Sequence, residues 1–250
     1  MSFCHSARKN NPHFDFPKTT LRSAASDIKN ILSEQLCGRR MIRHEIFIKG
    51  SETIDYSRLK EIIRIPNGRE QFAGHGSKLA CVFLLLFDRP DPHILAIQKS
   101  DTQGYPWRNQ VALPGGHLES TDASALEAAF RELQEELNIS RDQIEFVGSL
   151  GCFQTLTKPR DIEAFIGIWS GEGPIRYDST EISRILQIPL KTLIEIHQAG
   201  NYHEAGPDIR QLEYPFENIV IWGATAHIIY RFIELAYPLL ENDAPGKNTA

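Results

Sequence analysis

The chain has 250 residues, a formal net charge of −5, and 41% hydrophobic and 24% charged residues. That length supports one sizeable core and argues against two full catalytic domains in an otherwise ordinary globular composition. The acidic balance gives no support to a general nucleic-acid binder, which needs a basic face for phosphates. A nucleotide substrate stays open, because a divalent metal can supply positive charge locally.

Four cysteines (Cys4, Cys37, Cys81, Cys152) are scattered without a C-x-x-C pair. They read as reduced thiols, not as a disulfide framework or a zinc site. The N-terminus lacks the apolar run of a signal peptide. The longest purely apolar run, Leu79 to Phe87, is about half of the ~20 residues a membrane helix needs. Ile219 to Leu240 is long enough but carries His227, Arg231 and Glu234. The expectation is a soluble, cytoplasmic protein with no membrane partner.

Residues 1–75 read as an N-terminal extension. A polar arm precedes a helix over 21–36, where apolar residues recur at helical spacing and Gly38 follows as a cap. A strand near 46–48 and a short helix around 57–63 are expected next, then a Gly-, Asn- and His-rich loop over 66–77. A second segment, 76–241, opens on the apolar run 79–87, which predicts a central strand buried on both faces. The turn Asp88-Arg-Pro-Asp-Pro92 leads into a strand over 94–98, making a hairpin. A short strand over 111–113 precedes Gly115-Gly116 and a helix from about Asp122 to Leu137. Strands follow at 144–150, 164–169 and 182–188, then a helix over 190–197, a hairpin within 209–221 and a last helix over 224–239. Residues 242–250 read as a flexible tail. The pattern is an α/β (α+β) fold, with a mixed sheet sandwiched between helices.

Chemistry concentrates on the helix after the glycines. Leu126, Phe130, Leu133 and Leu137 form one apolar stripe. Glu132, Glu135 and Glu136 form a second stripe roughly 130° away, continued by Ala125, Ala128 and Ala129. An acidic helix face is usually just solvated. Here Glu132 and Glu136 are like charges at i,i+4, an arrangement that costs a few tenths of a kcal/mol unless a cation sits between them. Within that stretch of helix Arg131 is the only nearby cation. Convergent carboxylates beside small residues suit a hard cation such as Mg²⁺ or Mn²⁺, with room for a phosphate chain alongside. Gly115-Gly116 allow close backbone approach and are candidate phosphate or metal contacts. Asp122 most simply caps the helix, and Ser124 with Glu127 also fits a capping box. Arg131 can pair with Asp122 or Glu127 and hold the loop to the helix, or contact substrate.

Gly116, Asp122 and the run Arg131-Glu132-Leu133-Gln134-Glu135-Glu136-Leu137-Asn138-Ile139 together resemble the Nudix hydrolase box. Asp stands where that box has Glu, one extra residue precedes Arg131, and Asn138 replaces a glycine. The first two departures resemble the coenzyme A pyrophosphatase branch, as do Asn109-Gln-Val-Ala-Leu-Pro-Gly-Gly116, Ile188-Pro-Leu190 and Ile221-Trp-Gly-Ala-Thr-Ala226. An L-R pair of that branch is replaced by Gly104-Tyr105, with Arg108 as a compensating candidate for substrate binding beside Gly115 and Gly116.

The resemblance implies metal-dependent hydrolysis of a diphosphate linkage, with coenzyme A or an acyl-coenzyme A yielding 4'-phosphopantetheine and adenosine 3',5'-bisphosphate. It implies Mg²⁺ or Mn²⁺ held by Glu132, Glu136, Glu135 and the Gly116 carbonyl. Glu135 and Arg131 are the catalytic candidates, and Glu163 and Glu181 compete with Glu135 as the base. Trp107 and Trp222 are candidates to stack on an adenine, although an aromatic such as Trp222 more often belongs to the core. The alternatives are a Nudix hydrolase of an ADP-sugar, NADH or a dinucleotide, and a catalytically silent binding module. A small nucleotide derivative is the expected partner, and a homodimer is common in such proteins although no interface is marked in the sequence.

Overall fold

A computed structural model describes residues 61–62, 79–88, 91–103, 107–156 and 160–241 of the chain. The expected arm, the helix over 21–36 with Gly38, the strand near 46–48, the loop over 66–77 and the tail over 242–250 lie outside the described residues. Of the helix expected around 57–63, residues 61 and 62 are described, and both are helical.

The apolar run becomes β1 (Ala80–Asp88). Successive side chains of a strand point to opposite faces, and here each face is covered. Cys81, Phe83, Leu85 and Phe87 pack on one side, Leu84 and Leu86 on the other, all essentially inaccessible. β2 (Pro92–Lys99) returns antiparallel, pairing Leu85–Asp88 with Pro92–Leu95. The two strands then part. The start of β1 pairs with β4 (Gly115–His117), while the end of β2 pairs with β3 (Val111–Ala112). Phe83 donates its N–H to the Pro114 carbonyl at 3.0 Å across the junction. Gly-Gly-His has almost no strand preference of its own, and no strand was expected there. Its ladder with β1 is what makes it a strand.

On the other edge of β1 lies β6 (Asp161–Trp169) in parallel, then β5 (Ile144–Gln154) antiparallel to β6. β5 runs four residues beyond its expected end, through irregularities at Phe146/Gly148 and Ser149/Gly151. β7 (Ile182–Pro189) closes the far edge on β2.

Helix α1 (Ala125–Leu137) covers one face, placing Phe130, Leu133 and Leu137 against the odd-numbered residues of β1. It starts three residues later than expected, because the Ser124 side chain caps it by accepting the Glu127 N–H at 3.2 Å. It ends at Asn138 in the left-handed conformation (φ 58°), the role for which asparagine is second to glycine.

The other face is covered by α2 (Leu190–Ala199), the hairpin β8 (Glu213–Phe216) and β9 (Ile219–Trp222), and α4 (Gly223–Glu241). Between α2 and β8 sits a short helix, α3 (Tyr202–Ala205), which the sequence reading did not expect. Leu193, Tyr214, Ile229 and Phe232 pack there with Leu84, Leu86 and Ile94. The result is the mixed sheet between helices. Among the described residues, no helix is long and apolar enough to cross a membrane.

Candidate active site

The parting of β1 and β2 opens a slot in the sheet, and the glycine pair fills it directly under α1. A Cβ added at Gly116 would stand 2.2 Å from the Glu132 carboxyl carbon, so Glu132 rests on bare backbone. Only glycine permits that approach. Gly115 (φ 142°) donates its N–H to Glu136 Oε2 at 3.1 Å, and a Cβ there would meet the Cys81 carbonyl at 2.2 Å. The two glycines therefore seat two different carboxylates.

Arg131 organises the loop between β4 and α1. Its Nε and Nη2 donate to Asp122 Oδ1 and Oδ2 at 3.0 and 3.1 Å, and Nη2 also donates to the His117 carbonyl at 3.0 Å. Nη1 reaches Glu132 at 3.1 Å and Glu135 at 2.9 Å. Asp122 therefore does not cap the helix. It accepts from Arg131 and from the Glu119 N–H, bonds that hold its carboxyl below the ordinary range. Glu127 pairs with Arg141 at 2.6 Å instead of Arg131. The same acids raise the Arg131 guanidinium's affinity for its proton, Asp122 foremost.

One expectation about the helix face needs correcting. Ala128 and Ala129 are fully buried against β1, so they offer no open channel for a phosphate chain. Small side chains let the helix lie close to the sheet. Each of the three glutamates has a partner: Glu136 the Gly115 N–H, Glu132 the Gly116 backbone and Arg131 Nη1, and Glu135 the same Arg131 Nη1 at the surface. Among the described residues, no three acidic, histidine or cysteine side chains form a ready cation cage.

The cation that the sequence reading missed is Lys99, at the end of β2. Its Nζ lies 2.5 Å from Glu136 Oε1, with side-chain exposures of 15% and 8%, and so both are withdrawn from water. No helical spacing could reveal it, because it comes from a strand and not from the helix that carries the acids.

The remaining candidates fall on both sides of the acid turn. Glu163 shares a register line across the sheet with Gly116, Cys81 and Cys152. Burial pushes its carboxyl up. The Cys81 thiol is pushed up to about 12, mainly by burial and also by the charges of Glu163, Asp122 and Glu132. Burial likewise raises Glu132, with Arg131 opposing and Glu135 and Glu136 adding to the rise. Glu181 is exposed, and its carbonyl accepts the Ser100 N–H at 2.8 Å, next to Lys99. Arg108 lies at the surface 3.7 Å from Asp101, both more than half exposed. Trp107 carries the Arg160 guanidinium 4.7 Å above its ring, and Arg160 in turn lies 3.2 Å from the His117 ring. Trp222 is the last residue of β9 and is 43% exposed, so it is neither helical nor core.

The donor set fits a hard divalent cation. It is all carboxylate, partly desolvated, and has already drawn two cationic side chains to itself.

The chain is similar to several known proteins. Residues 78–209 match the NUDIX domain family. A protein of Escherichia coli O139:H28 described as "Uncharacterized Nudix hydrolase NudL" is 30% identical over 184 residues, covering 72% of this chain and 92% of its own. The protein of the same name from E. coli K12 is 32% identical over 155 residues, covering 60% and 78%. A solved MutT/nudix family protein from Enterococcus faecalis shares 16% identity with a TM-score of 0.46, covering 73% of this chain and 74% of its own. The matched stretch takes in β1, both glycines and the whole of α1, and the chain belongs to the Nudix family, as a pyrophosphohydrolase.

Proposed function

We propose that the enzyme hydrolyses the diphosphate linkage of coenzyme A or an acyl-coenzyme A, giving 4'-phosphopantetheine and adenosine 3',5'-bisphosphate. The observation that carries a hydrolytic site is the seating of Glu132 on Gly116 and of Glu136 on the Gly115 N–H. Support for the coenzyme A branch comes from Asp122 and the extra residue before Arg131. A contact between two other branch-like segments adds to it: Thr225 of Trp222-Gly-Ala-Thr-Ala226 donates to the Val111 carbonyl of the glycine approach at 3.0 Å.

Glu132, Glu135 and Glu136, with the Gly116 carbonyl, would hold Mg²⁺ or Mn²⁺, which supplies charge against the diphosphate and acidifies a water. Arg131 is a positioning residue, fixing Glu132 and Glu135 relative to the loop. Two carboxylates suit the proton acceptor. Glu135 is the most exposed of the three, at 60%, and can orient a water. Glu163 lies in line with Gly116, and its burial makes it hold a proton more firmly. Arg108, Gly115 and Gly116 are the proposed contacts to the substrate's phosphates.

Turnover of coenzyme A, ADP-ribose, NADH and diadenosine polyphosphates, each with Mg²⁺ and with Mn²⁺, tests this reading. Coenzyme A is expected to have the highest kcat/KM. Higher kcat/KM for one of the others would replace the substrate, and metal binding without any turnover would indicate a binding module. Loss of pH-dependent activity in Glu163→Gln but not Glu135→Gln would assign the base to Glu163.

A further inference from the structure

The Lys99–Glu136 pair has no place in the hydrolytic reading above, yet it occupies a carboxylate which that reading assigns to the metal. Both oxygens of Glu136 are engaged, Oε1 by the Lys99 ammonium and Oε2 by the Gly115 N–H. A buried carboxylate beside two others needs a counter-charge, and removing one partner of such a pair leaves an uncompensated ion. Arg131 cannot take that part, because its donors already go to Asp122, His117, Glu132 and Glu135. The backbone of Lys99 is fixed, with its N–H donating to the Gln110 carbonyl at 2.9 Å and its carbonyl accepting from Asn109 at 3.2 Å. Its ammonium, on a four-carbon stem with three rotatable donors, is not fixed.

We propose that Lys99 is a built-in counter-ion which holds Glu136 in place when the metal is absent and competes with the metal for that carboxylate. It acts through Glu136, as a positioning residue that tunes metal affinity. The proposal rests on the assignment of Glu136 as a metal ligand. A divalent cation reaching Glu136 displaces the ammonium, and the lysine side chain becomes more accessible. Without Lys99, the carboxylate waits uncompensated and takes the metal more tightly.

The test uses the full chain without substrate. Mn²⁺ binding is titrated by electron paramagnetic resonance of the free ion for wild type, Lys99→Met, Lys99→Arg and Glu136→Gln. Lys99→Met is expected to bind Mn²⁺ about tenfold more tightly, within the range by which groups around a metal's ligands shift affinity. Lys99→Arg, which keeps the charge, is expected to stay near wild type. Unchanged or weaker binding by Lys99→Met, with Glu136→Gln impaired, overturns the counter-ion role and leaves the metal assignment standing. Absence of Mn²⁺ binding in wild type and Lys99→Met overturns both. Should Lys99→Met fail to fold, reductive methylation of wild type read by mass spectrometry decides instead. Lys99 is expected to be modified severalfold faster with Mn²⁺ than with chelator, and equal rates overturn the proposal.

Discussion

On the α1 face of the sheet, Glu132 and Glu136 meet cations on long side chains, Arg131 and Lys99, and stand at a slot lined by bare glycine backbone. On the opposite face another buried polar cluster is arranged differently. His197, fully buried, lies 3.0 Å from the Tyr214 hydroxyl and 2.9 Å from Glu234, which is shared with His203 at 3.0 Å. Tyr230 stacks on the His197 ring at 5.4 Å, and Tyr237 on His203 at 3.9 Å. That cluster is closed by aromatic rings and ties α2, β8 and α4 together. The acid turn is balanced by long side chains that can move, whereas the His197 network holds helices in place.

The largest effect should come from Glu136→Gln, which removes the carboxylate that both Lys99 and Gly115 hold. Hydrolysis is expected to fall by more than ~100-fold, since even supporting groups around a metal cost 10–100-fold. The thermal midpoint should change little, because glutamine keeps the side-chain shape and the flexible four-carbon stem can turn the Lys99 ammonium out to water. Full activity in this variant would remove the metal assignment.

The two glycines should split stability from activity. At Gly115 a Cβ meets the immovable Cys81 carbonyl at φ 142°, and Gly115→Ala is expected to cost about 3 kcal/mol in denaturant unfolding. At Gly116 the obstacle is the Glu132 side chain, which can move. Gly116→Ala should therefore remain folded yet lose most of its turnover. Equal stability losses at both positions would contradict the seating of Glu132.

His197→Gln tests the closed network. Loss of its buried bonds is expected to cost about 2 kcal/mol, leaving kcat per folded molecule unchanged. Burial holds the His197 imidazole below its ordinary pKa, although Glu234 opposes the shift. The unfolded chain therefore takes up that proton first, and wild-type stability is complete above about pH 6.5 and declines below it. The decline should be shallower in His197→Gln; an identical slope would dissociate the network from acid sensitivity. His227, also lowered by burial, contributes in the same direction and remains in the variant.

The smallest effect is expected from Trp222→Ala. A residue 43% exposed should shift stability by no more than about 0.5 kcal/mol. A raised KM at unchanged stability would make the indole a substrate contact.

Much of the α1 face was legible in one dimension. The nine-residue apolar run made a strand buried on both faces, the spacing of Phe130, Leu133 and Leu137 named the core side of the helix, and Asn138 marked its end. Glu132, Glu135 and Glu136 stood out because chemistry and spacing coincide within about one turn, and the glycine pair because two glycines sit just ahead of that helix. These features depend on local periodicity and residue type, which the order of residues states directly.

Tertiary structure alone decided the rest. Lys99 stands 37 positions before Glu136 and meets it only because β2 diverges from β1 at that point. Glu163 is set in line with Cys81 and Gly116 through a parallel register with β1, and a shift of one residue would turn it to the opposite face. Gly115–His117 became a strand by pairing, and the close approach of α1 to β1 buried Ala128 and Ala129, which the angular reading had left open. Pairing register and packing distance are properties of two segments together, and neither segment carries them alone.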